Sequence, residues 1–339
     1  MINEYNPDTN SIHTDPSQSM WEKIKFRLVD NGLYILIGIV ILFYAVKSPV
    51  FLSYSNIKEL LANASPLLIV ATGITFVILL AEIDLSVGSV AGLSAAVWLV
   101  AIKAGIPLII ATVMGLLVGV LIGLINACLI VILHVNSFLV TLGMQILIRG
   151  VIFIVCGGSQ IIVPDSVRII VGTQIFAGIS PLIFISFFLV ILMQIVYKYL
   201  PFGRYVQAVG GNYSAAQKVG INVRKVKVIS FVMCGVFAGL GGMAQVANVG
   251  ILNAANVGIG YEFLAITAVV LGGTSLFGGV GKFVPGTLIG VVFLMSIENG
   301  LGILGANPYL YPIVRGLIIY LAMLSDSFKS GLSMKRKLM

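Results

Sequence analysis

Charged residues are scarce in this sequence. Only 9% of its 339 residues are charged and 59% are hydrophobic, and the mean hydropathy is +1.11. Because a soluble domain carries about 25% charged residues, this composition excludes an ordinary soluble protein. Several apolar stretches approach or exceed the roughly 18 residues that indicate a membrane-spanning helix. The sequence therefore predicts an all-α, polytopic membrane protein.

The residue types that build catalytic and metal sites are also rare. The three cysteines lie in apolar segments without Cys-x-x-Cys spacing, which indicates buried thiols, and there are only two histidines. The single Gly-Lys pair, Gly281-Lys282, lacks the glycine and the Ser or Thr of a phosphate-binding loop, since Leu276 and Phe283 occupy those positions. We therefore expect no enzyme activity, no cofactor and no metal ion. If ATP drives this protein, another chain must hydrolyse it.

Basic residues are unevenly distributed. The net charge is +8, and the positive residues concentrate in the N-terminal tail, in the segment 198–227 and at the C-terminus. Basic loops resist translocation, so all three regions are predicted to be cytoplasmic and to face anionic lipid rather than nucleic acid. The predicted organisation is a cytoplasmic tail (1–30), a transmembrane domain (31–327) with a cytoplasmic loop at 198–227, and a basic cytoplasmic tail (328–339).

Hydrophobic runs between helix breakers predict about ten spans. They lie at 33–46, 64–81, 87–103, 106–133, 137–156, 180–197, 228–250, 262–275, 284–303 and 308–325. Six spans precede the basic loop and four follow it, so both termini return to the cytoplasm. The spans 87–103 and 262–275 are short enough to be re-entrant, which makes eight the alternative count.

Few polar groups fall within the predicted spans, and each is costly there. Glu298 and Arg315 lie at similar depths on consecutive antiparallel spans, so we expect them to form an ion pair. Neutral amides suit a sugar or another polyol, which needs hydrogen bonds and no counter-charge, and they equally suit hydrogen bonds between helices. The candidates for a translocation path are Asp84, Ser86, Asn126, Gln145, Asn248 and Glu262.

The basic loop contains a short sequence with its own helix start and stop. Asn212 is a good N-cap, and Gly220 can take the left-handed conformation that closes a helix. A two-turn helix at the membrane face has no role in spanning the bilayer. We therefore expect it to contact a partner.

Four segments together resemble the ribose/xylose/arabinose/galactose-type permease subunits of ATP-binding cassette (ABC) importers. Glu82–Ser89 is similar to the family's Ile-Asp-Leu-Ser-Val-Gly-Ser signature, and 202–223 to its cytoplasmic Gly-Gly-Asn…Ala-Ala…Gly-Ile-Asn-Val segment. Residues 268–279 resemble its glycine-rich stretch, and 299–318 its closing region. The resemblance covers nearly all of the chain beyond residue 30.

The resemblance implies a bundle of about ten helices, like the vitamin B12 importer permease, in the bacterial inner membrane. It also implies a permease homodimer or a heterodimer with a related permease, an ATPase subunit with two fused nucleotide-binding domains, and an extracytoplasmic sugar-binding protein. The substrate would be a monosaccharide, moved by alternating access. The loop 198–227 would then be the coupling loop. Its ATPase-coupling residues would be Gly211, Asn212, Ala215, Ala216 and Gly220.

The sequence departs from the family pattern at two positions. Leu264 replaces an acid, and Val280 replaces an arginine in a Gly-Gly-Arg-Gly sequence. Both changes leave the substrate open. An autoinducer-2-type or branched-chain amino acid permease of the same transporter class is the alternative. An ion-coupled secondary transporter is disfavoured by the lack of an acid and histidine series, and a membrane enzyme by the lack of a catalytic site.

Overall fold

The structure is a computed structural model, and it describes residues 35–172, 178–307, 309–321 and 323–324. The two predicted cytoplasmic tails, 1–30 and 328–339, lie outside the described residues. The chain divides into two compact units, Met1–Phe43 and Tyr44–Met339. The described part of the first unit, residues 35–43, is helical and belongs to α1 (Ile35–Lys47). The other elements belong to the second unit.

Within the described residues, ten apolar helical segments follow one another in the order of the ten predicted spans. Six are long and apolar enough to cross a membrane: α2 (Tyr54–Leu79), α4 (Leu108–Val131), α5 (Ser137–Cys156), α7 (Pro181–Tyr199), α10 (Val223–Val249) and Phe283–Ile303, which ends in α12 (Leu288–Ile303). Four are shorter: α1, α3 (Val87–Lys103), α11 (Tyr261–Leu271) and α13 (Leu310–Leu321). The all-α, polytopic class is confirmed, and the number of complete crossings stays a prediction.

The remaining elements are small. They are β1 (Gln160–Ile162), α6 (Asp165–Gly172), α8 (Pro201–Gly211), α9 (Tyr213–Lys218) and β2 (Ile251–Asn253). Strands β1 and β2 pair antiparallel, with Ile161 opposite Leu252. Only α9 among these elements was predicted.

Two predicted helix starts were wrong. Helix α2 begins at Tyr54 rather than 64, with the Ser53 hydroxyl accepting from Asn56 N at 3.3 Å, and Pro66 lies inside it. Helix α10 begins at Val223 rather than 228, where Asn222 is the N-cap. In both cases the first turns carry charged residues, which lower the local hydropathy and so fall outside a span predicted from hydropathy. A helix can nevertheless extend past the apolar layer when an N-cap residue satisfies its first amides.

Helix α10 is the centre of the bundle, and it packs mainly against α4, α2 and α3. Glycines at the crossing of the two helices explain how closely α10 approaches α4. A Cβ atom on Gly119 of α4 would overlap the Gly235 carbonyl of α10, and a Cβ on Gly235 would overlap the Gly119 carbonyl. Small residues at this crossing therefore bring the two backbones into contact.

The connections between helices gather at two ends of the bundle. One end, called the basic end below, contains the connections 80–86, 132–136, 200–222 and 272–282. Gly279 N donates to Leu79 O at 2.8 Å there, and Lys227 forms an ion pair with Glu82. The opposite end holds the β1–β2 pair, which is extended by a bond from Val163 N to Gly250 O of 3.1 Å.

Helix α11 is too short to span a bilayer. Its 11 residues rise about 16 Å, roughly half of a typical 30 Å hydrocarbon core. The connection before it begins beside β2 at the opposite end and reaches into the bundle, where a Cβ on Gly88 of α3 would overlap the Gly258 carbonyl. The predicted span 262–275 is therefore a short helix entered from a connection that dips between α3 and α5.

Candidate translocation path and partner-docking helix

Helix α9 has the start and stop that its sequence predicts. Asn212 Oδ1 accepts from Ala215 N at 2.9 Å, which satisfies one of the free amides of the first turn. Gly220 follows the helix with φ +84°, and its N–H donates to Gln217 O at 3.1 Å. Ala216 packs inward at 3% exposure, whereas Ala215 faces outward. The face of α9 that contains Ala216 packs against the bundle and is called the seated face below. The face that contains Ala215 is exposed and is called the open face.

A glycine that the sequence analysis overlooked fixes this segment to the bundle. Predicted Gly211 has open space where a Cβ would sit, but a Cβ on Gly210 would overlap the Leu79 carbonyl and lie 2.6 Å from Gly279 N. The end of α8, the end of α2 and the 272–282 connection therefore meet backbone to backbone. The signal was absent from the local sequence because these residues are far apart along the chain.

A part-buried ion pair joins the start of α10 to the α2–α3 connection, next to the first residue of α9. Lys227 near the start of α10 pairs with Glu82, and its Nζ lies 5.4 Å from the centre of the Tyr213 ring. A cation over an aromatic face is attracted by the ring quadrupole. Tyr213 is the first residue of α9, so Lys227 contacts both α9 and Glu82.

A cavity of 390 Å³ lies beside α9. Its wall is formed by Tyr213 and Gln217 of α9, by Ile130 and His134 at the end of α4, and by Arg224 of α10. Helix α9 therefore borders open space on this side.

Three of the predicted path residues form one hydrogen-bonded cluster just inside the basic end. Asp84 Oδ1 accepts from Ser86 N at 2.9 Å and from Ser86 Oγ at 2.6 Å, and Asn126 Nδ2 donates to Ser86 Oγ at 2.9 Å. Burial raises the pKa of the Asp84 carboxyl, which lies in the connection outside α2 and α3, and the bonds from Ser86 lower it in part. Asn126 Oδ1 is buried without a hydrogen-bond partner among the described residues.

Two further path residues meet deeper in the bundle. Gln145 Nε2 of α5 donates to Glu262 Oε1 of α11 at 2.7 Å. Arg149, one turn further along α5, donates through Nη1 to Val257 O. Within the described part of the chain, Arg149 Nη2 and Glu262 Oε2 are buried without a partner. A site with one unused donor and one unused acceptor can bind a polar solute.

Arg149 lies within the predicted span 137–156 but is not among the predicted path residues. The signal that could have placed it is its spacing from Gln145, since residues four apart share one helix face. Ser89 Oγ of α3 also donates to Gln145 O at 3.1 Å. The two clusters therefore lie along the same stretch of α3.

The other predicted site residues lie elsewhere. Asn248 sits in the last turn of α10, at the opposite end, where its Nδ2 donates to Asn63 Oδ1 at 2.8 Å. The structure does not bring it to the other path residues. Arg315 Nε and Nη2 contact Glu298 Oε1 and Oε2 at 2.5 and 2.9 Å, in the bidentate geometry typical of strong Arg–carboxylate pairs. Among the described residues, no group of His, Cys, Asp and Glu is placed to hold a metal ion.

Comparison with known proteins identifies the class. Residues 56–323 match the family described as branched-chain amino acid transport system / permease component. The ribose import permease protein of Escherichia coli K12 is 36% identical over 308 residues, covering 88% of this chain and 92% of that protein. The ribose import permease protein of Bacillus subtilis 168 is 38% identical over 305 residues, with coverage of 88% and 92%.

A third relative is named for a different sugar. The L-arabinose ABC transporter permease protein of Azospirillum brasilense is 31% identical over 299 residues, covering 88% of each chain. No solved structure matches the chain, so the likeness to the vitamin B12 importer permease stays a prediction.

The match over most of its length shows that this chain belongs to the branched-chain amino acid transport system / permease component family. It is a permease subunit of an ABC transporter and not itself an enzyme, since ATP hydrolysis resides in a separate subunit.

Proposed function

We propose that this chain is the permease of an importer that takes up a monosaccharide across the bacterial inner membrane by alternating access. Relatives of nearly equal length, named for ribose, arabinose and allose, support the substrate class. A separate ATPase subunit supplies the energy, and a periplasmic binding protein delivers the sugar. The basic end is the cytoplasmic end, as its basic residues favour, and both termini lie on that side.

The observation that carries this proposal is the pair of polar clusters along α3. The deeper cluster, Gln145, Arg149 and Glu262, offers an amide, a guanidinium and a carboxylate, of which two atoms are unused. The inner cluster, Asp84, Ser86 and Asn126, offers a further unused amide oxygen. Hydroxyl groups of a sugar can both donate to and accept from such atoms. The two clusters form successive contacts along the path.

Helix α9 couples this path to the ATPase subunit. Its outward face binds the ATPase, and its seated face and Tyr213 transmit the movement to Lys227 and Glu82. Glu82 precedes the inner cluster by two residues, so a displacement there alters the inner gate. The cavity beside α9 leaves room for this motion. Two permease copies and an ATPase with two fused nucleotide-binding domains complete the assembly.

A branched-chain amino acid is the second candidate, because one observation favours it. Glu262 and Arg149 carry opposite charges on neighbouring elements, and the ammonium and carboxylate groups of an amino acid would match them. The family's description also names this substrate. Sugar relatives at 31–38% identity nevertheless favour the monosaccharide.

Uptake by the reconstituted complex separates the candidates. We expect saturable uptake of a pentose or hexose that excess leucine does not reduce, whereas leucine uptake without sugar uptake would overturn the monosaccharide proposal. Glu262→Gln should lower sugar uptake at least about fivefold, because the loss of a buried hydrogen-bonding carboxylate costs roughly 1–3 kcal/mol. The exposed Glu59→Gln on α2 is the matched control and should transport normally.

A further inference from the structure

An uncharged turn projects from the basic end. Residues 272–281 carry no charged side chain, although the segment 198–227 at the same end holds six basic residues. Gly278 N donates to Ser275 O at 3.1 Å, and Ser275 N donates to Val280 O at 2.9 Å. These bonds close residues 275–280, called the apolar loop below, into a tight turn. At its tip Phe277 is 64% exposed and Val280 67% exposed.

The apolar loop holds these two side chains in fixed positions. Gly278 and Gly279 have φ values of +81° and +74°, which only glycine adopts readily, and Gly279 N is bonded to Leu79 O at 2.8 Å. A Cβ on Gly279 would lie 2.8 Å from Gly211 Cα. Gly211 is the residue before the N-cap of α9. The apolar loop and α9 are therefore neighbours that share one backbone junction.

We propose that the apolar loop is a second contact site for the ATPase subunit, beside α9. The inference rests on the proposed function, which places that subunit at the basic end. Large apolar side chains held outward on an ordered loop favour a protein partner, and aromatic anchors supply much of the energy of such interfaces. A lipid-headgroup site would need basic residues, and the apolar loop has none. Through the hydrogen bond from Gly279 N to Leu79 O, an ATPase subunit bound to the apolar loop would also be linked to the end of α2.

Binding of the purified ATPase subunit to full-length permease in nanodiscs tests this site. We expect Phe277→Asp and Val280→Asp to weaken the affinity at least about tenfold, since a charge cannot enter an apolar contact without its hydration. Ile162→Asp is the matched control, because Ile162 is 67% exposed in β1, at the opposite end of the bundle. Its affinity should be unchanged.

The variant Ala215→Glu, on the open face of α9, separates the failure of this inference from that of the proposed function. Unchanged affinity in both loop variants with lost affinity in Ala215→Glu overturns the second contact and leaves α9 docking intact. Unchanged affinity in all three variants overturns both.

Insertion of Phe277 into the bilayer is the competing outcome, and Phe277→Trp measures it. After subtraction of the parent protein's fluorescence, we expect no quenching by brominated lipids and a blue shift when the ATPase subunit is added. Quenching by brominated lipids before that addition would show a membrane-inserted loop and overturn the proposal.

Discussion

Glu298 and Arg315 show how the bundle accommodates charge at the level of single residues. Arg315 is 33% exposed and Glu298 16% exposed, so neither is fully hydrated, and two hydrogen bonds join them. Removal of one partner of such a pair destabilises the structure, because the other partner is left partly desolvated and unpaired. The reciprocal amide bonds of Asn56 and Asn299, both 2.9 Å, join α2 to α12.

Glu298→Gln should destabilise the permease by about 1–3 kcal/mol, because Arg315 loses its carboxylate in a poorly hydrated site. A lower thermal midpoint in detergent, together with reduced uptake, would show this loss. The exchange Glu298→Arg with Arg315→Glu should recover part of the midpoint. Wild-type stability and uptake in Glu298→Gln would contradict a structural role for the pair.

Some residue contacts were predictable from the sequence and others were not. The depth of Glu298 and Arg315 follows from counting residues along two consecutive spans, so their proximity was predictable. The contact of Gln145 with Glu262 was not, because it depends on how far the connection before α11 dips into the bundle. The contact between Gly210 and Gly279 was not predictable either, since their closeness is a property of tertiary packing.

At the scale of elements, α9 is the segment that the sequence describes best. Its start and stop are local, because Asn212 bonds three residues ahead and Gly220 closes the helix within the same stretch. The pairing of β1 with β2 is not local, since about ninety residues separate the strands, and three-residue strands carry too little alternation to be recognised. The starts of α2 and α10 were missed because capping, rather than hydropathy, sets them.

Reversing one charge of the Lys227–Glu82 pair should uncouple α9 from the inner cluster. We expect Lys227→Glu and Glu82→Lys each to reduce sugar-stimulated ATP hydrolysis several-fold, because two like charges would then face each other in a part-buried site. The double exchange should restore a substantial part of the stimulation. Equal loss in the single and double variants would indicate that the residues act separately.

At the scale of the whole molecule, the scarcity of titratable groups distinguishes two energy sources. A proton relay requires a series of acids and histidines along its path, and the described spans hold isolated acids in separate clusters instead. The composition, the apolar helices of the described residues and the family together indicate a transport subunit whose energy is supplied by a separate ATPase subunit.

Sugar uptake into proteoliposomes should therefore require ATP and persist in the presence of a protonophore or a sodium ionophore. The reason is that the proposed cycle is driven by ATP hydrolysis in the ATPase subunit and not by an ion gradient. Uptake that stops when the ion gradient collapses, with ATP still present, would contradict this expectation.

The central claim is that α9 transmits ATP hydrolysis to the path, and one measurement tests it most directly. It is the stimulation of ATP hydrolysis by sugar-loaded binding protein in the reconstituted complex. Ala215→Glu places a charge on the open face of α9, and Gly220→Pro forbids the φ of +84° that ends the segment. The exposed Ala104→Glu, in the α3–α4 connection, is the control. We predict that Ala215→Glu and Gly220→Pro insert into the membrane but hydrolyse ATP only at the unstimulated rate, and that the control is stimulated normally. Wild-type stimulation in Ala215→Glu and Gly220→Pro would contradict the claim.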